Sequence, residues 1–127
     1  MTIHALIKAG AVYNLALVVF HLLFWKLFNW ADDLRSLSVL NRATMQVMNL
    51  SLVVAFLMFA YLSLVHTDQL YSTTLGRALL LSIAVFFMLR AILQVVFFRL
   101  QHWISYAFLI FFLAGGVLYG IPAISAY

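Results

Sequence analysis

Two apolar runs decide the fold of this chain: RALLLSIAVFFMLRAILQVVFF (residues 77–98) and WISYAFLIFFLAGGVLYGIPAIS (residues 103–125). Each run is long enough to cross a bilayer as an α-helix, because about 20 apolar residues span roughly 30 Å of hydrocarbon. The short stretch between them, RLQH (99–102), leaves room only for a tight turn. We therefore expect two antiparallel membrane-spanning helices that are neighbours in the fold.

The remainder of the chain has the same character. Apolar residues make up 68% of the 127 residues and charged residues 8%, whereas a soluble domain has about 45–50% and about 25%. No signal-cleavage pattern follows the first apolar run, so we expect it to be retained as a helix. We predict an all-α membrane protein, a single domain whose four transmembrane helices form a bundle and cover about residues 3–27, 42–66, 77–98 and 103–125.

Seven basic residues give the chain a net charge of +4, but they are scattered, and most of them flank the apolar runs. This placement is typical of charge at membrane–water boundaries, so we expect the lipid bilayer, and no nucleic acid, as a partner. The first and third predicted loops hold more basic residues than the opposite side, which favours both termini outside. The residues counted are Lys26, Arg35, Arg42 and Arg99 on the first side, and Lys8 and Arg77, with the terminal amine, on the other.

Polar side chains inside the apolar runs are informative, because each costs free energy unless it finds a partner. At a rise of about 1.5 Å per residue, most of them lie at similar depth on the side of the first and third loops. The sequence therefore predicts one polar cluster in one leaflet, which either binds an anionic ligand or ties the helices together. Its members are Arg90, Gln94, Asn49, Gln46, His21 and the deeper Asn14, with Arg42 at the start of the second helix.

Arg90 is the most demanding member of this cluster. A cation in the middle of a membrane helix costs about 2.5–3.5 kcal/mol on insertion scales, and none of the predicted spans contains an acidic residue. The available protein partners are backbone carbonyls, Asp32 and Asp33 folding back from the first loop, or the amides of Gln46, Asn49 and Gln94. The alternatives are an anionic ligand (a lipid head group, a carboxylate or a thiolate-bearing cofactor) and a side chain that extends to the interface without a partner.

Metal and haem chemistry is not indicated. The chain has no cysteine and no HxxxH or HExxH spacing, and His21 and His102 lie at different predicted depths. Arg99, His102 and Tyr106 are expected at the membrane interface, where the third loop enters the last helix. No cofactor can be named from the sequence.

The last helix carries the pattern Gly116-Val117-Leu118-Tyr119-Gly120. Glycines at this spacing let two helix backbones approach closely. We therefore predict a packing face at Gly116 and Gly120, either inside the bundle or between subunits. Because four helices enclose little interior, we expect a homo-oligomer or a subunit of a larger membrane complex.

Two resemblances follow from these motifs. The pattern Leu75-Gly76-Arg77, leading to Leu89-Arg90-x-x-x-Gln94, with Asn41-Arg42 opening the second helix, resembles a group of uncharacterised small bacterial four-helix membrane proteins. This resemblance covers most of the chain. It implies a location in the bacterial inner membrane and no particular activity.

Arg42, Asn49 and the stretch Arg99-x-x-His102-x-x-x-Tyr106 are similar to motifs of the MAPEG family, four-helix trimeric membrane proteins of eicosanoid and glutathione metabolism. The resemblance implies that the first two residues contribute to glutathione binding. This sequence has Asn41 and Leu52 where the family has the acidic residues that bracket its helix-two motif.

The sequence therefore leaves three functions open. We favour a non-enzymatic accessory or assembly subunit, or a lipid- or anion-binding component. The first alternative is a MAPEG-like enzyme or binder, in which Arg42, Asn49, Arg90, Arg99 and Tyr106 hold an anionic thiol cofactor. The second is a small channel or exporter, which is disfavoured because the predicted spans lack the carboxylate that such exporters use to couple protons.

Overall fold

The structure is a computed structural model, and it describes residues 2–98, 100 and 102–125. In that part of the chain, four helices are long and apolar enough to cross a membrane, which confirms the predicted all-α, four-helix class. The helices in chain order are α1 (Ile3–Leu22), α2 (Phe24–Leu27), α3 (Trp30–Asp33), α4 (Val39–Val65), α5 (Thr67–Ser72), α6 (Thr74–Leu93) and α7 (Trp103–Ile124). The spanning helices are α1, α4, α6 and α7, and α6 continues through the π-helical turn Gln94–Phe98.

Two spanning helices begin earlier than the apolar pattern predicts. Helix α4 begins at Val39 because the Ser38 hydroxyl accepts a hydrogen bond from the Asn41 amide at 3.2 Å. Helix α6 begins at Thr74 because Thr73 caps it in the same way. A hydroxyl at this position satisfies a backbone donor that the first turn leaves free. Hydropathy therefore locates the membrane span, while the capping residue sets where each helix starts.

The first predicted helix is interrupted at Leu23, and the loop predicted after it is largely helical. Helix α1 ends at Leu22, and α2 follows after Leu23. Asn29, between α2 and α3, has a φ of 52°, a left-handed conformation that asparagine adopts more readily than most residues. The chain turns there, so that α3 packs on α2. We call residues 23–38 the interfacial cap.

The bundle is held together by broad contacts of α6 with α7 and of α1 with α4, while α1 also packs on α7. Large side chains fill its centre, where Phe87 and Tyr119 are both fully buried. Small residues make room for the two central tyrosines. A Cβ atom on Gly10 would lie 2.6 Å from the Tyr119 ring, and one on Gly115 would lie 2.5 Å from the Tyr13 hydroxyl.

The predicted glycine face of α7 lies against α6. A Cβ atom on Gly116 would overlap the Met88 side chain, whereas one on Gly120 would make an ordinary contact with Ala84 Cβ at 3.9 Å. Both glycines also border an apolar groove on the outer side of the α6–α7 pair. In this chain, the close approach at Gly116 is a contact within the bundle.

Candidate functional site

A partly enclosed cavity of about 420 Å³ lies in the half of the bundle next to the interfacial cap. Its wall is mainly aromatic, with phenylalanines from all four spanning helices and from the cap, among them Phe20, Phe56, Phe86 and Phe112. Trp30 of the cap contributes as well. The volume lies within the roughly 300–1,000 Å³ that is usual for small-molecule sites.

The charged group of the cavity is Arg90 of α6, which is half-buried. Its Nη1 donates a hydrogen bond to Gln94 Oε1 at 3.0 Å, and Gln94 Nε2 donates to Ser105 Oγ of α7 at 3.1 Å. The guanidinium carbon lies 4.4 Å from the centre of the Phe112 ring and 5.6 Å from that of Phe98. An amide and two aromatic faces therefore hold this cation, and the described cavity wall contains no carboxylate.

Arg90 keeps unused hydrogen-bonding capacity. A guanidinium has five N–H donors in a fixed fork, and within the described part of the chain only the bond to Gln94 engages one of them. Among the described residues, Asn14 Oδ1 is the one side-chain nitrogen or oxygen that is both fully buried and without a hydrogen bond. The remaining Arg90 nitrogens are therefore not fully buried. This geometry suits a carboxylate or phosphate, which arginine binds through two parallel hydrogen bonds.

His21 lines the same cavity and is hydrogen-bonded to Asn49 of α4, which is not part of the cavity wall. Its Nδ1 lies 2.8 Å from Asn49 Oδ1, and Asn49 Nδ2 donates to the His21 carbonyl at 2.9 Å. Both side chains are at least nine-tenths buried. The pair joins α1 to α4 and holds the imidazole ring in one orientation.

Arg42 and Gln46 tie the interfacial cap to the start of α4. Trp25 Nε1 donates to Gln46 Oε1 at 3.1 Å, and Gln46 Nε2 donates to the Arg42 carbonyl at 3.3 Å. The Arg42 side chain donates to the carbonyls of Leu34 and Leu37 at 3.1 and 3.3 Å. These bonds position the cap, whose Trp30 forms part of the cavity wall.

A second buried network lies deeper in the bundle, around Asn14. Asn14 Nδ2 donates to Gly10 O at 2.9 Å and to the Tyr119 hydroxyl at 2.7 Å. The Tyr119 hydroxyl lies 2.7 Å from Ser63 Oγ, and Ser63 donates to the Phe59 carbonyl at 2.7 Å. Because the only hydroxyl proton of Ser63 is used in that last bond, Tyr119 must donate to Ser63. The donors of these hydrogen bonds therefore all point the same way, from α1 through α7 to α4.

The predicted polar cluster is thus divided by the structure. His21, Arg90 and Gln94 meet in the cavity, with Asn49 behind His21, while Gln46 and Arg42 belong to the cap. Asn14 belongs to the separate Tyr119 network. The sequence placed these side chains, except the deeper Asn14, at roughly similar depth but contained no information on how each helix is rotated about its axis.

Among the described residues, the structure does not gather the interfacial pair His102 and Tyr106 and the MAPEG-like residues Arg42, Asn49 and Arg90 into one site. His102 Nδ1 accepts from the Ile104 amide at 3.3 Å and caps α7. Tyr106 is exposed, Arg42 is engaged with the cap carbonyls, and Asn49 with His21. Arg99 lies outside the described residues.

Four residues of the Arg90 contacts and the Tyr119 network were not predicted from the sequence: Ser63, Ser105, Phe112 and Tyr119. Serine, phenylalanine and tyrosine are ordinary in membrane helices, so their types carried no signal. Spacing offered one clue, because Ser105 and Phe112 are seven residues apart and therefore share a face of α7.

The chain matches no known protein family, no curated protein and no solved structure.

Proposed function

We propose that this membrane protein is a non-enzymatic binding component for an amphiphile with an anionic head. Arg90 holds the head, and the aromatic cavity holds the apolar body next to it. The observation that carries this proposal is the combination, in one cavity, of a guanidinium with unused donors and a wall whose described residues include no carboxylate.

The contacts that Arg90 already makes support a binding role. A cation–π contact contributes about 0.5–2 kcal/mol, and a hydrogen bond to a charged group about 1.5–3 kcal/mol. Phe112 and Gln94 therefore reduce the free-energy cost of burying the guanidinium. Neither neutralises its charge, and a carboxylate or phosphate would do so while taking up the unused N–H groups.

The head group, rather than the tail, should dominate selectivity. Lipid tails are as apolar as the side chains of the cavity wall, so moving an acyl chain from the bilayer into the cavity yields little free energy. The charge contact with Arg90 has no counterpart in the hydrocarbon core. We therefore expect affinity to depend strongly on head charge and weakly on chain length.

The test uses purified protein in detergent micelles and two ligands that share a tail, hexadecanoate and hexadecanol. We expect hexadecanoate to raise the thermal unfolding temperature and to be retained in native mass spectrometry, and hexadecanol to do neither. Arg90→Leu should abolish the response to hexadecanoate. Arg90→Lys, which keeps the charge but loses the fork, should retain part of it.

Lys26→Leu is the matched control, because it removes one cation from the neighbouring cap at an exposed position that is not part of the cavity wall. This variant should respond to hexadecanoate like the parent. Equal responses to acid and alcohol, or an Arg90→Leu protein that still responds to the acid, would overturn the proposal.

A further inference from the structure

The bonding of Asn49 fixes which ring nitrogen of His21 carries a proton. The His21 carbonyl can only accept a hydrogen bond, so the Asn49 amide nitrogen must face it, at 2.9 Å. Asn49 Oδ1 then faces His21 Nδ1 at 2.8 Å. An amide oxygen can only accept, so Nδ1 must be the donor.

The other nitrogen, Nε2, is the polar atom that the ring has left to offer to the cavity. It has no hydrogen-bond partner within the described part of the chain, and it is not fully buried there. His21 shares the cavity with Arg90, so a second cation there would be costly in an apolar surrounding. A neutral imidazole with its proton on Nδ1 presents Nε2 as an acceptor.

The cavity thus contains a fixed donor, the Arg90 guanidinium, and a fixed acceptor, His21 Nε2. A simple carboxylate satisfies the first and has no proton for the second. An ammonium group would donate to Nε2 but would bring a second cation next to Arg90. A hydroxyl group donates without adding charge.

We infer that the head of the bound amphiphile carries a hydroxyl group in addition to its anionic group, with the anion on Arg90 and the hydroxyl donating to His21 Nε2. This inference rests on the proposed function and deepens it, because it names a hydroxylated acid as the ligand class. His21 acts here as a specificity-determining residue, held in position by Asn49.

Two kinds of molecule carry this chemistry on an apolar body. One is an aliphatic 2-hydroxy acid, and the other is a hydroxylated aromatic acid with an alkyl chain. The aromatic form has support in the wall around the histidine, because the Phe24 and Phe56 ring centres lie 4.5 and 5.2 Å from that of His21. Aromatic pairs at such distances are worth about 0.5–1.5 kcal/mol beyond their burial.

The experiment compares two matched ligand pairs by titration of the purified protein in micelles. The aliphatic pair is 2-hydroxyhexadecanoate and hexadecanoate, and the aromatic pair is a decyl-substituted 4-hydroxybenzoate and its 4-methoxy counterpart. We expect the hydroxylated member of at least one pair to bind about threefold to tenfold more tightly, as one additional hydrogen bond allows. The pair that discriminates identifies the source.

His21→Phe should bind both members of that pair equally while still binding hexadecanoate through Arg90. Because this variant also removes the Asn49 contact, a measurement on the unmodified protein accompanies it. In ¹⁵N NMR spectra, the hydroxylated ligand should shift the His21 Nε2 signal, while the signals of His4, His66 and His102, which are not part of the cavity wall, stay in place.

The outcomes separate the inference from the proposed function. If acids bind through Arg90 but neither pair discriminates, or if the His21 Nε2 signal does not respond, the hydroxyl inference is overturned and the proposed function stands. If no acid binds, both fail.

Discussion

Gln94 Oε1 lies 3.0 Å from Arg90 Nη1, and this amide is the side-chain acceptor that the described part of the chain gives to the guanidinium. Gln94 is almost fully buried and begins the π-helical turn of α6. Such turns are frequent at functional sites, because they redirect side chains that a regular helix would place elsewhere. The side chain that contacts Arg90 is therefore neutral. Replacing it with a charged or an apolar side chain should change how tightly the cavity binds an acid.

Gln94→Glu places a carboxylate where the amide oxygen now contacts Arg90. The new ion pair satisfies the cation internally, so we expect hexadecanoate affinity to fall at least about tenfold, equivalent to about 1.4 kcal/mol or more. Gln94→Leu is the companion variant, which removes the amide and leaves Arg90 free to bind an acid at least as tightly as in the parent. Titration of both variants in micelles is the measurement. Tight acid binding by Gln94→Glu would show that Arg90 is not the group that binds the acid.

The Phe112 ring should contribute to stability through Arg90. Phe112→Leu removes the aromatic face 4.4 Å from the guanidinium carbon, and we expect a loss of about 1–2 kcal/mol in unfolding free energy from the cation–π contact and the altered packing. Phe97→Leu is the control, because Phe97 lies in the π-helical turn that continues the helix of Arg90 but is 76% exposed. Its effect should stay within about 0.5 kcal/mol. Unfolding in mixed micelles, followed by helical circular dichroism, distinguishes the two, and equal losses would argue against a cation–π role.

Much of the fold could be predicted because hydropathy and span length depend only on composition along the chain. The interruption at Leu23 could not, because the apolar run continues through it without a proline or glycine. The site was harder to predict from the sequence than the fold. Depth along each helix follows from counting residues, so Arg90 and Gln94 were expected one turn apart and Asn14 deeper than His21. Which side chains of other helices they meet, Tyr119 for Asn14 and the Arg90 cavity for His21, depends on side-chain packing across helices.

Gly10 packs directly against Tyr119, which leaves no room for a larger side chain, whereas Gly120 has room for one. A Cβ atom on Gly10 would lie 2.6 Å from the buried Tyr119 ring, whereas one on Gly120 meets Ala84 at 3.9 Å. Gly10→Ala should therefore lower the unfolding free energy by about 1–3 kcal/mol through overpacking. Gly120→Ala should be neutral or stabilising, since alanine favours the helix by up to about 1 kcal/mol. Unfolding curves of the two variants, measured side by side, test this, and a tolerated Gly10→Ala would contradict the packing around Tyr119.

The orientation of the bundle can be tested with single cysteines, because the chain contains none of its own. The excess of basic residues in the first and third loops predicts that these loops face the cytoplasm and that the α4–α6 connection faces outward. Ser36→Cys, in the cap, should then be protected from a membrane-impermeant maleimide in intact cells, while Ser72→Cys, at the end of α5, should be labelled. Both positions are exposed in the structure, so both should react after the membrane is permeabilised. The opposite pattern would place the half of the bundle that holds the Arg90 cavity on the outer side. Labelling of both cysteines in intact cells would indicate that the chain inserts in two orientations.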